Sequence, residues 1–153
     1  MTIGEMLLPE FDRETANTRK ILECVPEDKF AWKPHQKSST LGKLASHLAA
    51  IPGWAAVVVN GYGKKSPDAG SKAELIEVLD RGIAAGREAL AGVGDEYLAE
   101  AVRVGPDVSK PRAAILRDRV LSHMIHHRGQ LSVYLRLLNV AVPGMYGPSA
   151  DEK

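Results

Sequence analysis

The sequence predicts an all-α protein, a bundle of four helices. Three observations carry that expectation. Apolar residues recur at three- and four-residue spacing through four long stretches. No stretch shows a sustained two-residue alternation of the kind a half-buried strand needs. The stretches are separated by runs rich in glycine, proline and serine, with capping residues at their edges. A chain of 153 residues with 44% apolar and 25% charged residues suits one globular domain spanning 1–153.

The first helix is expected from Thr2 to about Cys24, with Ile3, Met6, Leu7, Phe11, Ile21 and Leu22 turned inward. Pro9 falls inside it, so the helix either starts just before the proline or bends there. Val25-Pro26-Glu27-Asp28 ends it, and Phe30 to Ser39 forms a connection. Ser38, Ser39 and Thr40 are N-cap candidates for a second helix, about Leu41 to Asn60. Pro52 should kink that helix and leave the carbonyl of Leu48 unbonded.

Ser71-Lys72-Ala73-Glu74 has the form of a capping box and opens a third helix, about Lys72 to Leu90. Leu75, Val78, Leu79, Ile83 and Leu90 are its inward residues, and Gly82 and Gly86 mark close helix contact. Residues 91–110 are expected to be irregular, with a short extended piece at 101–104. The fourth helix is capped by Ser109 or Lys110, has Pro111 in its first turn and runs about 40 Å to Leu138. Asn139 stops it, and the tail to Lys153 is expected to be extended.

Composition excludes several function classes. A net charge of +1 offers no electrostatic footprint for nucleic acid or for a membrane surface. The modest basic groups Lys64, Lys65, Arg112, Arg117 and Arg119 have acids nearby and no interleaved aromatics, so they are expected to form a solvated face. The single cysteine, Cys24, precludes an intrachain disulfide and suggests a reducing, cytoplasmic setting. It is expected to be a small buried residue. The N-terminus has no signal-peptide pattern, and the apolar run at 55–59 is too short to span a bilayer.

The chemistry concentrates in Ser122-His123-Met124-Ile125-His126-His127-Arg128-Gly129-Gln130. His123 and His127 stand one helical turn apart, on a stripe continued by Leu116, Val120, Leu131, Tyr134 and Leu138. The pair therefore points toward the core. Two imidazoles at this spacing can share one metal ion, and two packed core residues would have the same spacing. His47 lies on the inward stripe of the second helix. Three imidazoles leave one coordination position open, the arrangement of a catalytic centre rather than a closed structural one. Met124 stands where a helical metalloprotease places its glutamate, which argues against a protease.

The runs Trp32 to Trp54 and Ser122 to Ser149 resemble the signature segments of the DinB-like (DinB/YfiT) superfamily, and the order and spacing extend over the whole chain. That resemblance implies a four-helix bundle with a three-histidine divalent-metal site. The ligands map onto His47, His123 and His127. Zinc or nickel is the expected ion, with iron next. The resemblance also implies a homodimer, supported weakly by Ile125 and Leu135 lying off the histidine face. It further implies a metal-dependent transferase that acts on a small-molecule substrate through a low-molecular-weight thiol. The alternatives are a non-catalytic metal-binding or dimerising bundle and a hydrolase that uses metal-bound water.

Around the trio, Gln130 is a candidate to bond a ligand or a metal-bound water, and Tyr134 to present its hydroxyl to a pocket. Arg128 is expected to be a solvated charge, and His126 and His35 to lie at the surface. Trp32, Trp54 and Tyr146 are candidates for a pocket mouth.

Overall fold

The computed structural model describes residues 1–61 and 66–152. Lys64 and Lys65 of the basic group lie outside the described residues. Among the described residues, seven α-helices, α1 to α7, three short 3₁₀ or π turns and one two-stranded hairpin make up the fold.

α1 spans Ile3–Glu23 and opens on a complete capping box. Thr2 accepts from the Glu5 amide at 3.1 Å, and the Glu5 carboxylate accepts from the Thr2 amide at 2.7 Å. The helix continues past Pro9, which is exposed, rather than beginning beside it. Leu7, Phe11, Thr18, Ile21 and Leu22 face the core, as does one carboxylate, Glu14.

α2 is Leu41–Ala50 and α3 is Trp54–Asn60, joined by a 3₁₀ turn at Ile51–Gly53. The break expected at Pro52 is present, but the Leu48 carbonyl is not orphaned. It accepts from the Ile51 amide, because the tighter turn shifts the bond by one residue. Taken together, Leu41–Asn60 is long and apolar enough to cross a membrane by length and composition, although the run at 55–59 alone is not. More than half of it is buried inside the bundle, the behaviour of a core helix.

α4 is Lys72–Ala91. Ser71 caps it by accepting from the Glu74 amide at 3.1 Å. The second half of the expected box differs: Glu74 accepts from the Gly70 amide at 2.7 Å, not from Ser71. Gly82 and Gly86 do mark close contact. A Cβ on Gly82 would sit 2.9 Å from the Gly53 nitrogen, and one on Gly86 would sit 2.6 Å from the Phe11 ring and 2.8 Å from the Pro52 carbonyl.

Residues 95–111 are more ordered than expected. They form α5 (Asp95–Ala99) and an antiparallel hairpin of β1 (Ala101–Gly105) with β2 (Val108–Pro111). Ser109 and Lys110 pair with Arg103 and Val102 in the ladder, so they do not cap the next helix. The β2 residues are all exposed, which is why no alternating burial pattern marks them.

The fourth rod begins with Pro111 at the N-cap and consists of α6 (Arg112–Leu116), a π turn (Arg117–Leu121) and α7 (Ser122–Leu137). The Ser122 amide bonds the Arg117 carbonyl, five residues back. Asn139 ends the rod at φ 57°, the left-handed position asparagine tolerates. The tail folds back instead of extending away. Asp151 accepts from Arg136 and from the Val142 amide, and Glu152 from the Gly144 and Ser149 amides.

α1, the α2–α3 rod, α4 and the α6–α7 rod enclose one core of leucine, isoleucine and alanine, closed by Phe11 and Met124. Arg112 meets Glu100 at 2.5 Å, with its guanidinium over the Tyr97 ring, and Arg117 meets Glu10 at 2.9 Å. These basic side chains are neutralised locally. Leu135 is fully buried and offers nothing to a dimer face; Ile125 is 41% exposed.

Candidate metal centre

α2 and α7 pack side by side, and each presents its histidines to the seam. His47 sits in the last turn of α2, and His123 and His127 occupy the first two turns of α7. The π turn ends immediately before Ser122. It fits one extra residue into the helix and so re-aims everything that follows it. His123 and His127 thereby face His47 while Leu116 and Val120 stay in the core.

Three Nε2 atoms converge. His123 Nε2 lies 3.0 Å from His47 Nε2 and 2.7 Å from His127 Nε2. The ring centroids are 4.5–5.1 Å apart. Trp54 stands edge-on to both His47 and His123, at 5.3 and 5.4 Å, and shields that side. His127 Nδ1 donates to Gln130 Oε1 at 2.7 Å, which assigns the hydrogen to Nδ1 and leaves a lone pair on Nε2. Gln130 thus holds a ring rather than reaching into the open space.

Burial, and then the neighbouring His127, His47 and His126, hold the His123 imidazolium down at about 4. Burial also lowers His127, against the opposing pull of Gln130. Neutral rings are the ligating form. A neutral ring nitrogen carries one hydrogen or one lone pair, so His123 Nε2 cannot complete good hydrogen bonds to both neighbours. Three converging lone-pair nitrogens are a donor set for a cation, which would spread the 2.7 and 3.0 Å separations by a few tenths of an ångström. Tetrahedral zinc with bonds of about 2.0–2.1 Å puts its nitrogen ligands roughly 3.3 Å apart. The set has no thiolate or carboxylate, which suits a borderline divalent ion.

A cleft of about 640 Å³ opens beside the cluster, with His47, His127, Gln130, Tyr134 and Trp54 along one side. Lys37, Ser38, Ser39, Lys43, Ser66 and Asp68 line the rest. Tyr134 donates from its hydroxyl to the Ser39 carbonyl at 3.1 Å, and Trp32 packs edge-on against its ring. Ser46 accepts from the Ala69 amide at 2.9 Å, fastening the Asp68 loop beside His47. Asp68 lies outside both signature segments, and Lys43 lies inside the first without being a candidate site residue. The one signal for Lys43 is its position four residues before His47 on the same helix face.

His126 and His35 are exposed, as expected. The His126 ring touches His127, at 4.8 Å between centroids, without joining the cluster. Cys24 is half-buried at the end of α1, and burial pushes its thiol up, away from reactivity.

Arg128 corrects the expectation of a solvated charge. It is 3% exposed and ion-pairs with Glu14, itself 1% exposed. Tyr146 joins them, donating to Glu14 Oε2 at 2.6 Å and lying 2.5 Å from Arg128 Nη2. Burial alone would raise the Glu14 pKa, but Tyr146, Arg128 and Arg13 together hold it below the usual range. Tyr146 is therefore a tail clamp and does not line the cleft mouth. The sequence signal for this network is the gap in the apolar stripe of α1 between Phe11 and Ile21, where Glu14 and Thr18 fall on the inward face.

Comparison with known proteins agrees with this architecture. The model of the DinB family matches residues 2–153. The uncharacterized protein YrdA of Bacillus subtilis is 25% identical over 151 residues, covering 95% of this chain and 89% of that protein. The crystal structure of a DinB-like protein from Bacillus cereus superimposes with a TM-score of 0.78 at 27% identity, over 93% of this chain and 97% of the other. The DinB-like protein YjoA of Bacillus subtilis shares the fold, with a TM-score of 0.73 at 19% identity over 94% and 99% of the two chains. With its four helical rods, its paired histidine elements and a family match from one end to the other, this chain belongs to the DinB family.

Proposed function

We propose that His47, His123 and His127 bind one divalent metal ion, zinc or nickel before iron, and that the protein is a metal-dependent transferase using a small thiol. The observation that carries this reading is the convergence of three Nε2 atoms at the side of an open cleft. An inert scaffold has no need of a cleft at its metal, and a structural site would be closed by a fourth side chain. When bound, such an ion lowers the pKa of a coordinated thiol, so that the thiol reacts as a thiolate near neutral pH.

The chain's own residues supply the rest. Gln130 fixes the His127 tautomer. Trp54 covers the cluster on one side, and burial keeps the His123 and His127 rings neutral. Asp68 is the one carboxylate among the described residues lining the cleft, and in this reading it takes a proton released there. The proposal includes a cytoplasmic setting, a single domain and a homodimer.

The test is consumption of an electrophile with a panel of small thiols, comparing metal-loaded and chelated protein. Metal-dependent loss of thiol and electrophile together supports the reading. Metal-dependent turnover without any thiol replaces it with a hydrolase. No turnover, with metal still bound, leaves a non-catalytic metal bundle.

A further inference from the structure

Among the described residues, two lysines that line the cleft carry charge that no ion pair or side-chain hydrogen bond uses. Lys43 lies on α2 four residues before His47, so the two side chains share one helix face about 6 Å apart along the axis. Lys37 lines the same cleft from the connection before α2. Most other lysines with recorded contacts spend their ammonium group on the protein. Lys29 meets Asp28, Lys33 the Gln36 carbonyl, Lys72 the Glu23 carbonyl and Lys110 Asp118. Among the described residues, neither Lys37 nor Lys43 has an ion pair or a side-chain hydrogen bond.

Among the described residues that line the cleft there are thus two lysines and one carboxylate, Asp68, beside neutral hydroxyls, an amide, an indole and imidazoles. The amides that open α2 are not available for the same task. Leu41 donates to the Trp32 carbonyl, Gly42 to the Phe30 carbonyl, and Lys43 to the Thr40 hydroxyl. Anion recognition here falls to the lysine side chains, point charges on flexible stems.

We propose that the cleft takes a small acidic molecule, its carboxylate or phosphate group held by Lys37 and Lys43 and its reacting end turned toward His47 and His127. This rests on the reading of the cleft as a substrate site. It adds the substrate's charge, and it names Lys37 and Lys43 as specificity determinants that do not touch the reacting atoms.

The experiment compares two thiols that differ only in charge, 3-mercaptopropionate and its neutral amide, binding to the zinc-loaded full chain. Inorganic phosphate is titrated in parallel against loaded and metal-free protein. Calorimetry gives each affinity for the native chain and for Lys37→Gln, Lys43→Gln and the double variant. Both positions are exposed, so folding is expected to survive, and circular dichroism and zinc content verify it.

The acid is expected to bind about tenfold more tightly than the amide, with about threefold lost per lysine and the preference shrinking at high salt. A stronger lysine-dependent response to phosphate than to the acid assigns the phosphate source, and the reverse assigns the carboxylate. Equal binding of acid and amide without lysine-dependent phosphate binding, or a preference for the acid that survives in the double variant, overturns the proposal while leaving the thiol reading intact. Lysine-dependent phosphate binding with no thiol binding keeps the anion site and removes the thiol. No lysine-dependent binding of any anion overturns it outright.

Discussion

Gln130 Oε1 accepts a hydrogen bond from His127 Nδ1 at 2.7 Å, and that contact decides which nitrogen of His127 faces the cluster. The two residues are three apart on α7, so the local helix geometry builds the contact. Replacing Gln130 by leucine frees the ring to change tautomer. Metal affinity is expected to fall roughly tenfold, the lower end for loss of such an outer partner, with little change in Tm. Competition with a chromophoric chelator measures it. Unchanged affinity would mean that packing alone orients the ring.

Removing any one of the three imidazoles should abolish stable metal retention. His47→Ala and His123→Ala are expected to purify without stoichiometric metal by elemental analysis of untagged protein, while His126→Ala keeps it. Retention by His47→Ala would place the ion elsewhere.

Glu14 and Arg128 form a buried ion pair with Tyr146 as third member. Arg128→Met leaves the buried Glu14 carboxylate with only the exposed Arg13 and the Tyr146 hydroxyl, a change expected to cost about 3 kcal/mol. The double variant Glu14→Leu/Arg128→Met should recover most of that loss, because no lone charge remains. Urea unfolding of the three proteins decides it; an Arg128→Met variant as stable as the native chain would show that the pair is immaterial.

Two glycines predict opposite signs for the same substitution. Gly86→Ala drives a methyl into Phe11 and the Pro52 carbonyl and should destabilise by about 2 kcal/mol. At Gly129 no atom beyond its own helical turn lies within 4 Å of an added Cβ, and the position is inside α7, so Gly129→Ala should stabilise by about 0.5–1 kcal/mol. Thermal melts of both variants provide the comparison.

Acid should release the tail late. The Arg136 guanidinium and the Val142 amide hold the Asp151 carboxyl at about 2, below its usual 3.8, and the Gly144 and Ser149 amides hold Glu152 low as well. Carboxylates depressed in the folded state add stability that is fully present above their unfolded values and is lost as pH falls through the folded ones. The tail is thus expected to stay docked at pH 4 and to detach on approach to pH 2, followed by the amide shifts of Val142 and Gly144. Detachment near pH 4 would show that these bonds are too weak to matter.

Local signals determined a great deal on their own. The period of the apolar stripes and the glycine and proline breaks marked all four rods, and the capping residues Thr40 and Ser71 opened the second and third. The spacing of His123 and His127, with His47 on its own inward stripe, marked the cluster. These features depend on neighbours within one turn of helix, so they are legible one segment at a time. Three things were not. The π turn has no residue signature, because it arises from fitting a long rod against the others. The pairing of Glu14 with Arg128 joins residues 114 positions apart, so neither helix alone reveals that its charge is buried. The union of Lys37, Lys43 and Asp68 in one cleft with the histidines depends on how the α2 connection and the loop after α3 fold back. Proximity between segments is a property of packing, and packing is decided only when every rod has found its place against the common core.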